Sequence, residues 1–403
     1  MIERIASFAG LFAMIGIAWA LSLDRRAIKW RTVLVGTGLQ LVFALVILRT
    51  EAGRQVFDWI GGAITRFLDF TDAGAAMVFG ENFREFLFAF KVLPTIIFFS
   101  SFITILYYFG ILQRIVRLFA AVMVRFMGTS GAESLSASAN IFVGQTEAPL
   151  LIRPYVPTMT QSELMAVMTG GFATVAGGVL AAYVGMGVPA KHLLAASVMS
   201  APAALVMAKL MFPEKEKSHT AGQVDVEVAR PWANVIDAAA SGAADGLKLA
   251  LNVGAMLIAF VALIAMLDWP LGWLGGLAGY PELSINLVLG WVCSPLAWLM
   301  GVPWAEADKV GTLIGIKTAV NEFVGYLRME EMVKAGELSE RSIAIATYAL
   351  CGFSNFSSIA IQIGGIGGMA PERKADLARL GLRAMVAGSL ACFQTATIAG
   401  FLL

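Results

Sequence analysis

The sequence predicts an all-α polytopic membrane protein: eight transmembrane helices, interfacial helices and an inverted internal repeat. Three observations predict it. Of the 403 residues, 58% are hydrophobic and only 14% charged, with a mean hydropathy of +0.77, whereas soluble domains carry about 25% charged residues. Eight apolar runs reach the roughly 20 residues a helix needs to cross a bilayer, where backbone polar groups have to be satisfied within the segment. Two further apolar stretches are broken in the middle, each with one glutamate near the break, and they match one another.

The first run, 5–23, resembles a leader peptide only superficially. Arg4 alone precedes it, while Arg25, Arg26, Lys29 and Arg31 follow; a cleaved signal carries its charges on the other side. The expectation is therefore a retained helix with its N-terminus outside. Runs 32–48, 88–110, 162–186, 190–212, 246–267, 341–367 and 376–402 complete the eight. Residues 53–70 mix Arg54, Asp58, Arg66 and Asp69 with Phe57, Trp59, Ile60, Ile64, Phe67 and Leu68, the pattern of a helix lying in the membrane interface. Residues 111–127 repeat it with Arg114, Arg117 and Arg125. The stretch 283–300, which contains Pro295, fits a span or a helix lying flat equally well.

Charge orients these elements. With eight crossings and an outside N-terminus, the inside loops are 24–31, 111–128, 213–230 and 368–376. They hold Arg25, Arg26, Lys29 and Arg31; Arg114, Arg117 and Arg125; Lys215, Lys217 and Arg230; and Arg373 and Lys374. The C-terminus is then outside too. The net charge of +1 leaves no basic field for nucleic acid. Cys293, Cys351 and Cys392 lie apart in apolar surroundings and His192 and His219 are isolated, a pattern of small buried hydrophobes and surface histidines rather than of metal or thiol chemistry.

The broken stretches are 130–158 and 304–332. The first brings Asn140, Gln145, Thr146 and Glu147 together beside Gly144 and Pro149, residues that interrupt a helix. Its Thr146-Glu147 to Arg153 aligns with Asn321-Glu322 to Arg328, and downstream Gly170-Gly171-Phe172-Ala173-Thr174 aligns with Cys351-Gly352-Phe353-Ser354-Asn355. Three spans separate the copies, so the repeat is inverted. Inverted repeats of broken helices with polar groups near the midplane are the architecture of secondary transporters.

An acid at bilayer depth costs at least about 2.5–3.5 kcal/mol and marks function by default; for Glu147 and Glu322 the alternative is an ion pair with Arg153, Lys317 or Arg328. Asn355 and Ser358 share a helix face at i, i+3, and Thr174 takes the place of Asn355 in the first copy. Gln362 and Ser357 read as helix-packing groups.

At these residues the chain resembles a known family. Gly144-Gln145-Thr146-Glu147-Ala148-Pro149 is similar to the first re-entrant hairpin of concentrative nucleoside transporters. Gly315-Ile-Lys317-Thr-Ala-Val-Asn321-Glu322-Phe323-Val324-Gly325-Tyr326 resembles their G-x-K-x-x-x-N-E-F-V-A motif, with Gly325 for Ala. Ser354-Asn355-Phe356-Ser357-Ser358-Ile359 through Gly365 resembles their S-N-F-x-S-I-x-I-Q-I-G-G stretch. Gly178 stands where many members have Ser. The match covers roughly 85–403.

The resemblance implies two re-entrant hairpins, a homotrimer in the inner membrane and elevator-like movement of a transport domain against a scaffold. It divides the chain into scaffold helices and an interfacial helix (1–110), a first repeat (111–212), a loop and central scaffold helix (213–282) and a second repeat (283–403). It implies base contacts from Gln145, Thr146 and Glu147 with Val179 and Phe353 packing on the ring, and ribose contacts from Glu322, Asn355 and Ser358. It places a coupling sodium ion on Asn140, Thr174 and the carbonyls of Val143 and Val175.

The chemistry agrees: an ionised carboxylate accepts from both hydroxyls of a diol, and a hard cation takes oxygen ligands. The expected function is Na⁺-driven import of a uridine-like nucleoside, with no enzymatic step and no cofactor beyond the ion. The alternatives are proton coupling through Glu147 or Glu322 on the same fold, or an intramembrane enzyme using the two acids.

Overall fold

A computed structural model of the chain describes residues 2–222, 232–277, 279–280 and 282–403; Arg230 of the third positive loop lies outside them. The described residues are helical nearly throughout. α1 (Ile2–Ala20) and α2 (Trp30–Arg49) open the chain, joined by a turn in which the Arg26 amide donates to Asp24 at 3.0 Å. Lys215 pairs with Asp24 at 2.6 Å, and this ammonium together with the Arg26 amide holds the Asp24 carboxyl below its usual range.

The amphipathic readings emerge as helices. α3 (Glu51–Asp69) buries Gly53, Gly61 and Leu68 while exposing Val56 and Trp59. α4 (Thr71–Phe79) follows, then α5 (Leu93–Tyr108). α6 (Ile111–Met127) covers the expected segment, bounded by Gly110 and Gly128 at φ +74° and +70°, backbone angles that favour glycine. Its buried stripe of Leu112, Val116, Ala120, Met123 and Met127 has helical spacing.

The first broken stretch forms α7 (Gly131–Ala139), fully buried, and a 3-10 segment, Ala148–Thr158, where three prolines bar a regular α-helix. The run expected at 162–186 is divided into α8 (Gln161–Ala173) and α9 (Gly177–Gly185), with Thr174 extended between them. α10 (Ala190–Met211) completes the first half. α11 (Val235–Leu277) runs 43 residues, about 64 Å at 1.5 Å per residue.

α12 (Ile285–Leu299) and α13 (Trp304–Ala319) are bent by 116°. α14 (Glu322–Lys334) begins after a break at which the Asn321 side chain caps the helix. The run expected at 341–367 divides into α15 (Glu340–Leu350) and α16 (Phe356–Met369), and α17 (Lys374–Leu402) closes the chain.

Among the described residues, six helical segments are long and apolar enough to cross a membrane, or seven if the bent α12–α13 pair is one span. They coincide with six of the eight expected runs. Of the other two, 246–267 lies within the longer α11, and 341–367 is cut at 351–355 into α15 and α16.

Packing contacts link the helices across the molecule, and α5 packs on α9. α17 lies against α1, α8, α10 and α15, while α5 and α11 pack on one another. Gly242 and Gly246 make that second contact close, because a Cβ at either would stand 2.5 Å from Thr104 Oγ1 or 2.8 Å from Ile97 Cα.

One end of the molecule collects the loops after α1, α6, α10 and α16. Leu23 donates to Met211 O at 3.1 Å, Thr32 to Met127 O at 2.9 Å, and Arg373 to the carbonyls of Pro157 and Met159 at 3.0 and 2.7 Å. Lys209 ties this end together. Its ammonium stands 2.7 Å from Glu133 and 3.4 Å from Glu214, and donates to Ser162 at 2.9 Å. Glu133 in turn closes the capping box that starts α7.

Lys209 and Glu133 are both buried, so Lys209→Met strands a carboxylate and is expected to cost about 3–5 kcal/mol. Thermal unfolding in detergent reads this, with the exposed Lys215→Met as control; equal midpoints for the two variants would contradict it.

Candidate functional site

The two breaks meet. The Phe353 amide donates to Thr174 O at 3.1 Å, and the Cys392 thiol reaches Ala173 O at 3.6 Å and Cys351 O at 3.4 Å. Gly352 permits this approach, since a Cβ there would lie 2.7 Å from Phe172 O. The groups thus brought level surround a cavity of about 550 Å³, within the ordinary range for a small-molecule site. Gln145, Thr146, Glu147, Val179, Glu322, Phe353, Asn355 and Ser358 all line it.

A chain of hydrogen bonds orders the polar lining. Buried Glu322 accepts from Tyr183 Oη at 3.0 Å on one oxygen and from Asn355 Nδ2 at 3.0 Å on the other. Asn355 Oδ1 caps α16 by accepting the Ser358 amide at 2.9 Å, and it also takes the Ser357 hydroxyl at 2.8 Å. Gln145 donates to Ser358 Oγ at 3.3 Å and accepts from Gln362 at 3.0 Å. Gln362 also donates to Met168 O at 3.1 Å. The amide and hydroxyl set of the first break is thereby fixed to the carboxylate set of the second.

Among the described residues, neither Glu147 nor Glu322 forms an ion pair with Arg153, Lys317 or Arg328. Lys317 donates to Ala349 O at 2.8 Å, Arg328 pairs with Glu331 at 2.6 Å, and Arg153 is exposed. Glu147 opens into the cavity with its carboxylate folded over Gly144, where any Cβ would clash with it. Gly365 similarly makes room for Thr146.

The proposed ion ligands lie just beneath. Asn140, Thr174, Val143 and Val175 are all buried. Asn140 Nδ2 donates to Ser136 O at 3.0 Å, but its Oδ1 has no partner among the described residues. Thr174 donates to Gly170 O at 3.0 Å, leaving its lone pairs free, and a Cβ on Gly170 would stand 3.2 Å from Asn140 Nδ2. Both side chains therefore converge on Gly170. A buried amide oxygen without a donor is costly, and a hard cation satisfies it.

Sequence reasoning missed several groups. Tyr183, buried in an apolar helix, gave no signal before Glu322 was seen beside it. Gln362, read as packing, bridges Gln145 to α8. α5 and α11 contribute Ser100, Asp245, Lys248 and Asn252 to the wall; a lysine inside an expected span was the available signal. His192, read as a surface residue, is half-buried with Nδ1 3.3 Å from Tyr348 Oη.

Comparison with known proteins decides the lineage. Residues 192–400 match the family described as Na⁺ dependent nucleoside transporter C-terminus, residues 9–82 its N-terminus, and residues 89–190 a nucleoside recognition family. The chain belongs to the Na⁺ dependent nucleoside transporter family. An uncharacterized transporter of Haemophilus influenzae is 49% identical, over 98% of this chain and 97% of that one. Solute carrier family 28 member 3 of Homo sapiens is 46% identical over 99% of this chain, which spans 60% of that protein.

Among solved structures, CNTnw in an inward-facing substrate-bound state has a TM-score of 0.94 at 46% identity, covering 100% of this chain and 98% of that one. A substituted CNTnw in an outward-facing state scores 0.93 at 45% identity, covering 99% and 97%. The family is one of membrane transporters rather than enzymes, and Na⁺ is the coupling ion it indicates.

Proposed function

We propose that this chain is a secondary active symporter that imports nucleosides on an inward Na⁺ gradient. The observation that carries it is the single network from Gln145 through Ser358 and Asn355 to Glu322, facing one cavity and adjoining the unpaired Asn140 oxygen. Gln145, Thr146 and Glu147 contact the base, whose ring packs between Val179 and Phe353. Glu322, Asn355 and Ser358 hold the ribose. Na⁺ is held by Asn140, Thr174 and the carbonyls of Val143 and Val175.

Ion and nucleoside then share the segment 140–147. An ion that orders this segment favours the nucleoside, and the nucleoside favours the ion by the same factor. The hydrogen bonds between the two breaks support movement of the site as one body against α5 and α11, the elevator form of alternating access.

The same reading extends to topology. Eight crossings follow if α11 spans and α15–α16 form one broken span; α7 with the 3-10 segment, and α13 with α14, are then re-entrant hairpins of an inverted repeat. The gathering of the positive loops at one end supports both termini being outside, in the inner membrane. The exposed apolar faces of α4 and α11 are consistent with lipid and a homotrimer.

The test is uptake of labelled uridine into proteoliposomes. Accumulation is expected with an inward Na⁺ gradient and not with a pH gradient alone. The absence of nucleoside uptake under every ion gradient would refute the proposal.

A further inference from the structure

We infer that α11 carries a second, weaker nucleoside subsite, formed by Asp245, Lys248 and Asn252, which passes substrate to and from the main site. This rests on the nucleoside reading above. The three side chains recur at i, i+3 and i+7, so they occupy one helix face, and all three line the cavity that holds Gln145 and Glu322. The glycine face of α11, Gly242 and Gly246, is turned instead against α5. The polar strip is therefore directed into the cavity by the same packing that brings the two helices together.

Stability does not account for these residues. Asp245 and Lys248 stand 3.7 Å apart with side chains 77% and 76% exposed, and so open a pair contributes little to folding. Asn252 makes no side-chain hydrogen bond among the described residues. Around them the helix is apolar, with Leu247, Leu249, Leu251 and Val253. Charged groups at the depth of a transporter's substrate cavity mark the path of the substrate.

Their chemistry suits the same ligand in the opposite sense to a sealed site. The Asp245 carboxylate accepts from a ribose diol as Glu322 does, and Asn252 and Lys248 offer donors to base carbonyls. Asp245, Lys248 and Asn252 have no hydrogen bond or ion pair to the repeats among the described residues. Water competes freely at such exposed groups, which makes the site weak. Weakness is what a transfer site requires, because a ligand held tightly on the wall would not leave it.

A subsite that only transfers substrate alters rates without altering equilibrium affinity at another site. The full-length protein in proteoliposomes therefore separates the roles. Asp245→Asn combined with Asn252→Ala is expected to raise the KM for uridine influx by about 3-fold or more, while the uridine Kd in detergent changes by less than about 2-fold. An unchanged KM would overturn the inference. A Kd that rises in step with KM would also overturn it, by making the strip part of the main site. Failure of the wild-type protein to bind uridine at all is a distinct result, which removes the nucleoside reading beneath it.

Discussion

Glu322→Gln is expected to weaken nucleoside binding by roughly 100-fold or more. The carboxylate already accepts from Tyr183 and Asn355, one on each oxygen, and its remaining lone pairs face the cavity. Glutamine replaces one acceptor oxygen by a donor, so one of these two neighbours then faces N–H against its own hydrogen. A ribose diol loses the anionic acceptor at the same time. Hydrogen bonds to charged groups contribute about 1.5–3 kcal/mol each, and losing two removes at least two orders of magnitude in Kd. Calorimetric titration with uridine measures it. The variant is close to isosteric, so thermal stabilisation by Na⁺ should persist and show that the protein is folded. Wild-type uridine affinity in this variant would refute the role given to Glu322.

Asn140→Ala is expected to abolish the effect of Na⁺ on uridine affinity. In the wild-type protein, Na⁺ should tighten uridine by about 10-fold, within the usual range of coupling energies. In the variant, Kd values in Na⁺ and in choline should agree within about 2-fold. The reason lies in Asn140 Oδ1, which is buried without a partner among the described residues and which a bound cation would satisfy. Removing that oxygen also removes a desolvation penalty, so the variant should not be destabilised in Na⁺-free buffer. Stability preserved and coupling lost is a combination that a purely structural asparagine would not give. Retained Na⁺ stimulation would refute the assignment.

Much of this was legible in the sequence, for reasons that differ by element. Apolar runs and amphipathic stripes are local, so the segment 111–127 coincides with α6, and six of the expected runs coincide with helices long and apolar enough to cross a membrane. The broken stretches 130–158 and 304–332 were visible because each is apolar around a lone glutamate, and the first also carries Gly144 and Pro149. What remained hidden was long-range. Tyr183 looks like any buried aromatic until Glu322 is seen to meet it from the other half of the chain. Gln362 has a glycine-rich setting that suggests helix packing, and its contact with Gln145 crosses 217 residues. The strip on α11 was masked by the expected span 246–267, whose average hydropathy absorbed Lys248 and Asn252, with Asp245 one residue before it.

The meeting of Thr174 and Phe353 bears on the order in which the protein is made. Thr174 O accepts its hydrogen bond from a residue of the second half, and Gln145 waits for Ser358, 213 residues later. A nascent chain that has inserted only its first half therefore holds an unclosed backbone break and an unsatisfied amide within the bilayer, each costing several kcal/mol in lipid. The first half is not an independent folding unit in this sense. It is a frame left open until α15, α16 and α17 arrive and complete the binding site.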